Sequence, residues 1–338
     1  MKREKKKISL ALQGGGSHGA FTWGIMERLL EEDVLDIKGI CGTSAGAMNA
    51  AVTAYGLHQG GNAGAIDLLE KFWKKVADSA KYSPLQPSWL DSALYPGDMN
   101  FSAGFQFFSL MTQTLSPYQF NPMDINPLRN IVEELIDFEA LHHSHVKVFA
   151  CATNVKTCKP KIFKGKEITA DALMASACLP LLFKAVEING EFYWDGGYMG
   201  NPSIYPLIDH TDSNDILLLK VNPVVVNEVP KTVAEIQDRI NDISFNSSLM
   251  AEMRMVYFKE KILKLGYDLR GRLRKIYFHG ISADQVLDDF SLASKFNASW
   301  KFLNTLRERG RDCADVWLHE NYHHLGHSSS LDIRKVFV

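Results

Sequence analysis

Twice within its first fifty residues the chain runs a short apolar segment into a glycine-rich turn and then into a helix. Ile8-Ser9-Leu10-Ala11-Leu12 leads to Gly14-Gly15-Gly16-Ser17-His18-Gly19, and Ile37–Cys41 leads to Gly42-Thr43-Ser44-Ala45-Gly46. Short apolar runs bounded by turn formers read as buried strands. Behind the first turn, Phe21, Ile25, Met26, Leu29 and Leu30 recur at helical spacing, which predicts a helix over Ala20–Glu32. Behind the second, Ala47-Met48-Asn49-Ala50-Ala51-Val52 opens a helix of small residues that permit close backbone approach. Strand, turn and helix repeated in this order specify an open α/β sheet with parallel strands.

Further strands are expected at Val146–Ala152, at Phe192-Tyr193-Trp194 and at Ile216–Val221. Residues 81–126 are rich in Pro, Phe and Ser and lack clear periodicity. That is long for a plain connection, and predicts a lid or an irregular insertion. Beyond Pro223 the pattern turns mostly helical, with one long helix or two over Ala234–Phe258, a strand at Lys275–His279, and helices near Leu292–Glu308 and Cys313–His319. No Gly- or Ser-rich linker sets this part off. The expected organisation is therefore a domain over 1–225 and a mostly helical extension over 226–338, packed on the core.

With 46% hydrophobic and 22% charged residues in 338, the chain has material for a large core. A net charge of −2 gives no electrostatic case for a nucleic-acid partner. The one basic run is Lys2-Arg3-Glu4-Lys5-Lys6-Lys7. It reads as a solvated tail beside an edge strand, or as a contact with anionic headgroups. The apolar stretch after it ends at Gln13, too short for a secretory h-region, and no segment reaches the length of a membrane span. Any membrane contact is thus expected to be peripheral. Five cysteines, an odd count without a CxxC pair, read as reduced, buried thiols of a cytoplasmic protein.

Gly42-Thr43-Ser44-Ala45-Gly46 fits G-x-S-x-G between a strand and a helix. That setting projects a serine hydroxyl from a strained turn, with Gly42 and Gly46 leaving room for the path. A glycine turn that merely packs helix on sheet has the same spelling. Gly14–Gly19 likewise suits two functions. Its free backbone N–H groups can hold an oxyanion, and its spacing satisfies G-x-G-x-x-G of dinucleotide sites. The dinucleotide reading wants an acidic residue at the end of the second strand. Asp33 and Asp36 precede that strand, and Ser44 stands where the acid belongs. Two adjacent strand ends, one offering amides and one a serine, make the more coherent site.

A serine nucleophile needs a base. None of the eleven histidines sits at an evident strand end. His142, His143 and His145 precede a strand. His319, His323 and His327 are spaced i, i+4, i+8, but no carboxylate joins them at metal-ligand spacing. Asp195, in Phe192-Tyr193-Trp194-Asp195-Gly196-Gly197, is delivered by an aromatic strand to a tight turn, although Asp-Gly-Gly is also an ordinary turn sequence.

Taken in order, Gly14–Gly19, Gly42–Gly46 and Asp195–Gly197 resemble the glycine loop, G-x-S-x-G and D-G-G/A signature of the patatin-like phospholipases. Asp171–Pro180, Asn126-Pro127-Leu128-Arg129 and Asn201-Pro202 also resemble family segments, so the likeness spans roughly the first 225 residues. The later part resembles an extension on some bacterial members. The resemblance implies a three-layer α/β/α sandwich and a Ser–Asp dyad without histidine, acting on lipid or other acyl esters with no metal or cofactor. Carried over, Ser44 is the nucleophile, Asp195 the base, and the amides of Gly14, Gly15 and Gly16 the oxyanion hole. Gly196 and Gly197 form the acid turn. An ordinary Asp titrates near 3.9, so this chemistry predicts a desolvated Asp195 with a raised pKa, close to Ser44. The sequence departs from the family at His18, where Arg or Lys is common. Phe101, Phe105, Phe107, Phe108, Leu110 and Met111 read either as an apolar mouth for acyl chains or as ordinary packing. The remaining alternative is a catalytically idle scaffold or membrane-binding protein of the same fold.

Overall fold

The structure, a computed structural model, describes residues 5–338 apart from 82, 84, 95–96, 227, 267–273 and 285. Eight strands form one sheet: β1 (Lys6–Leu12), β2 (Leu35–Thr43), β3 (Lys147–Asn154), β4 (Pro160–Lys164), β5 (Val186–Ile188), β6 (Glu191–Asp195), β7 (Asp215–Lys220) and β8 (Tyr277–Ser282). The early helices are α1 (Gly19–Glu32), α2 (Ala45–Ala80), α3 (Trp89–Leu94), α4 (Ala103–Thr114), α5 (Pro117–Phe120), α6 (Pro127–Leu135) and α7 (Phe138–Leu141). After β3 come α8 (Ala170–Ser176), α9 (Tyr205–His210), α10 (Val233–Lys264), α11 (Trp300–Asn321) and α12 (Ile333–Phe337).

The sheet order is β5-β6-β3-β2-β1-β7-β8, with β4 also on β3. From β3 to β8 every pair on this path is parallel. β4 and β6 run antiparallel to β3, and β5 antiparallel to β6. Both antiparallel additions are short, and β4 and β5 escape a reading based on apolar runs. The strand order reverses between β1 and β7, the kind of point at which open α/β sheets form a crevice at their carboxyl ends.

Alternation along the strands builds a core on each face. Ile8, Leu10 and Leu12 of β1, with Leu217 and Leu219 of β7, join the cluster that includes α1, α2 and Leu303 and Leu306 of α11. Ala11, Ile216, Leu218 and Phe149 face Leu249 and Met253 of α10 and Ile333 and Phe337 of α12. The chain is a mostly parallel sheet between two helical layers.

Three expectations need correction. The region after residue 225 does more than pack on the core. It supplies β8, which pairs with β7 from Asp215↔Tyr277 to Lys220↔Ser282 and so covers an otherwise open edge. Cys313–His319 is no separate helix but part of α11, while Leu292–Phe296 is a short 3-10 turn. Residues 81–126 are not irregular throughout, since they carry α3, α4 and α5.

α11 crosses α1 at very short range. A Cβ on Gly24 would stand 1.9 Å from the carbonyl oxygen of Arg307, and one on Gly310 2.1 Å from that of Phe21. Beside the crossing, the buried carboxylate of Glu27 accepts from Arg307 Nε at 2.6 Å and Arg311 Nη1 at 2.7 Å. Of the basic run, residues 2–4 lie outside the described residues. Lys5 pairs with Asp33, Lys7 with Asp212, and Lys6 donates to the carbonyls of Tyr322 and Leu325. All five cysteines are free. Cys41, Cys151 and Cys178 are buried, whereas Cys158 is exposed, against expectation. Among the described residues no helix is long and apolar enough to cross a membrane.

Candidate active site

Strand register brings the remote stretches together. Leu12 pairs with Gly42, Thr43 with Cys151, and Ala152 with Asp195. The glycine loop after β1, Ser44 after β2 and Asp195 at the end of β6 therefore meet at one sheet edge. Contacts are tight. A Cβ on Gly14 would lie 2.9 Å from the Cβ of Ser44, and one on Gly46 2.3 Å from the carbonyl oxygen of Leu12. Only glycine permits either approach.

Ser44 caps α2 with φ 54° and ψ −124°, a positive φ that residues with a side chain rarely adopt. Strain of this kind costs about 1–3 kcal/mol and persists where the surroundings over-determine it. Here its N–H donates to the buried Ser176 Oγ at 3.0 Å, and its carbonyl accepts from Ala47 and Met48. The residue stays partly open to solvent.

Asp195 is fully buried. Gly197 N–H donates to its Oδ1 at 2.6 Å, and its backbone is held by Cys178 O at 2.7 Å and Thr153 Oγ1 at 2.8 Å. Oδ2 has no hydrogen-bond partner. Burial raises the pKa from its ordinary 3.8 to about 7, opposed by the Gly197 amide and by the nearby Ser44 hydroxyl. The hydroxyl is thus near enough to act on the carboxyl, while no well-formed hydrogen bond between them is closed.

The glycine loop differs from expectation in one respect. The Gly14 N–H is committed to Asn201 Oδ1 at 2.7 Å, so it is not free to hold an oxyanion. A local reading could not foresee this, because Asn201 lies 187 residues away. Among the described residues no acceptor meets the N–H groups of Gly15 and Gly16. Gly15 O accepts from His18 N–H at 3.1 Å, and Gly14 O from Asn222 Nδ2 at 2.7 Å. His18 is buried, contacts Ser294 Oγ at 2.7 Å, and has its pKa lowered to about 3 by burial and then by Lys295. It is neutral at ordinary pH.

Sequence reasoning missed Gln13, Ser176, Asn222 and Lys295 as site residues. Buried Gln13 donates to Asn246 Oδ1 at 2.9 Å and accepts from the amides of Val221 and Asn222. A cavity of about 1090 Å³ lies behind the loop, lined by His18, Phe101, Val221 and Lys295 among others, but not by Ser44 or Asp195. Around Ser44 and Asp195, residues 101–126 adjoin both flanks. Phe105 and Phe108 pack on Phe296 next to the glycine loop, while Lys184 Nζ reaches Pro122 O on the Asp195 side. No residue of α4 is buried, and Phe107 and Leu110 are 69% and 60% exposed. Among the described residues no three His, Cys, Asp or Glu side chains gather to hold a metal ion.

A strand-to-helix serine, a glycine loop and a buried carboxyl thus meet at one sheet edge. The profile of the family described as patatin-like phospholipase matches residues 10–208, and the chain belongs to that family. Comparison with curated proteins finds no match. Among solved structures, VipD from Legionella pneumophila is similar at 16% identity and TM-score 0.44, covering 94% of this chain and 67% of its own. The type III effector protein ExoU is similar at 14% identity and TM-score 0.38, covering 94% and 54%. ExoU in its complex with SpcU from Pseudomonas aeruginosa gives 19% and 0.34, covering 73% and 51%. The chain thus spans about half to two thirds of the length of these proteins.

Proposed function

We propose that the protein is a serine acyl hydrolase of lipase or phospholipase A type that cleaves ester-linked acyl chains with Ser44 and Asp195. One observation carries this reading: a fully buried carboxyl with an unpartnered oxygen and a pKa near 7, beside a serine held in a strained turn. A base poised near the operating pH balances ionisation against basicity.

In the proposed reaction Ser44 Oγ attacks the acyl carbon as Asp195 Oδ2 takes the hydroxyl proton. The carbonyl electrons move to oxygen, and the N–H groups of Gly15 and Gly16 hold the resulting oxyanion. Collapse breaks the ester bond, and the proton passes from Asp195 to the departing alkoxide. Water, deprotonated by the same carboxylate, then attacks the acyl-serine and frees the acid and Ser44. The proposed substrates are lipids, reached through peripheral contact with a membrane. The exposed apolar residues of α4 support this. So do Val233, Ile236, Ile240 and Ile243, an exposed stripe on α10 at helical spacing. Residues 81–126 serve as the lid, and the largely reduced, buried thiols suit a cytoplasmic setting.

Ser44→Ala and Asp195→Asn should each lower turnover of p-nitrophenyl acyl esters at least a thousandfold, and a fluorophosphonate should label wild type at Ser44. Wild-type turnover by purified Ser44→Ala would refute the mechanism.

A further inference from the structure

The N–H of Gly15 and the carbonyl of Gly14 belong to one peptide group. In a trans peptide these two bonds point in opposite directions, so whatever holds the carbonyl also aims the amide. Between two glycines such a peptide turns easily unless something fixes it. Asn222, just beyond β7, holds it. Its Nδ2 donates to Gly14 O at 2.7 Å, its backbone N–H donates to Gln13 Oε1 at 2.9 Å, and its Oδ1 accepts from Lys295 Nζ at 2.9 Å. The Lys295 side chain is only 13% exposed. Its ammonium also reaches Asn241 Oδ1 at 3.2 Å and Asp242 Oδ1 at 3.4 Å on α10. The backbone of the same residue presses on the loop, since a Cβ on Gly16 would stand 2.5 Å from Lys295 O.

The side-chain amide of Asn222 is therefore read at both ends. Lys295 fixes which end is oxygen, and the nitrogen end is left to face Gly14 O. A cation feeding a chain of hydrogen bonds also polarises each link, leaving the last N–H more positive. We infer that Lys295, acting through Asn222, is a positioning residue that locks the Gly14–Gly15 peptide with its N–H turned toward the oxyanion position beside Ser44. This deepens the acyl-hydrolase reading and rests on it. It also makes residues 292–297, outside the family match, part of the active-site apparatus.

Kinetics on a monomeric p-nitrophenyl ester and 15N–1H spectra of glycine-labelled protein test this together. Lys295→Met should lower kcat at least tenfold with KM changed less than twofold, and Lys295→Arg should recover most of the loss. Asn222→Asp keeps an oxygen for Lys295 but cannot donate to Gly14 O, so it should lose kcat to a similar degree even where Lys295→Met folds poorly. In both damaged variants the Gly15 amide resonance should move while those of Gly42 and Gly46 stay. Unchanged kcat in folded Lys295→Met and Asn222→Asp, or an unmoved Gly15 resonance, overturns the inference while leaving Ser44-dependent turnover intact. Should wild type show no Ser44-dependent turnover, the functional reading fails first, and the Gly15 resonance alone decides whether Lys295 orients the peptide.

Discussion

Asp195 is destabilised by its own position. Taking a carboxylate out of water favours its neutral form, and here one N–H from Gly197 offsets only part of that. Two consequences follow with opposite uses of the same titration. Catalysis by the ionised form should make kcat/KM rise about tenfold per pH unit below pH 7 and level off above it. Stability should run the other way. Between its ordinary 3.8 and about 7 the folded state binds more protons than the unfolded state, so this group's contribution falls as pH rises through that window. Asp195→Asn should therefore unfold at higher denaturant than wild type at pH 8, by up to about 4 kcal/mol, with the gap closing below pH 4. Glu252, half-buried and also raised to about 7, keeps a similar slope in both proteins. Equal unfolding midpoints at pH 8 would mean that Asp195 is less desolvated than its burial indicates.

At the scale of elements, α1 carries the glycine loop at one end and α11 along its length. Gly24→Ala puts a methyl group where the Arg307 carbonyl stands, and a helix pair cannot absorb a 1.9 Å contact without moving apart. Overpacking of this kind costs about 1–3 kcal/mol, so Gly24→Ala should lower the urea midpoint while Gly60→Ala, with open space around it, leaves that midpoint nearly unchanged. Equal midpoints for the two variants would count against the close crossing. What could be read from the chain divides at the same scale. β1, β2, β3, β6, β7 and β8 announce themselves by local apolar runs, and Gly42–Gly46 and Asp195–Gly197 by local turn chemistry. β4 and β5 do not, because Lys161, Lys164 and Glu187 interrupt them and neither is longer than five residues. Asn201, Asn222 and Lys295 were illegible for a stronger reason. Each is an ordinary polar residue in sequence, and its role exists only once loops 70 or more residues apart have closed.

For the whole molecule, α4 exposes Phe107 and Leu110 and α10 exposes Val233, Ile236, Ile240 and Ile243, the border proposed to engage lipid. Charging that border should separate two activities. Phe107→Asp with Leu110→Asp should reduce hydrolysis of phospholipid vesicles at least tenfold and leave a soluble p-nitrophenyl ester cleaved at nearly the wild-type rate. Equal losses on both substrates would argue that α4 shapes the pocket itself and has no part in engaging a lipid surface.

The pairing of Glu27 with Arg307 joins residues 280 apart in the chain. A ribosome adding about 5–20 residues per second needs roughly 15–55 seconds to make that interval. Throughout that delay the nascent α1 lacks the helix that covers it. The apolar face of the first helix thus waits longer for its partner than most of the core does, and a chain cut short before residue 300 leaves that face open.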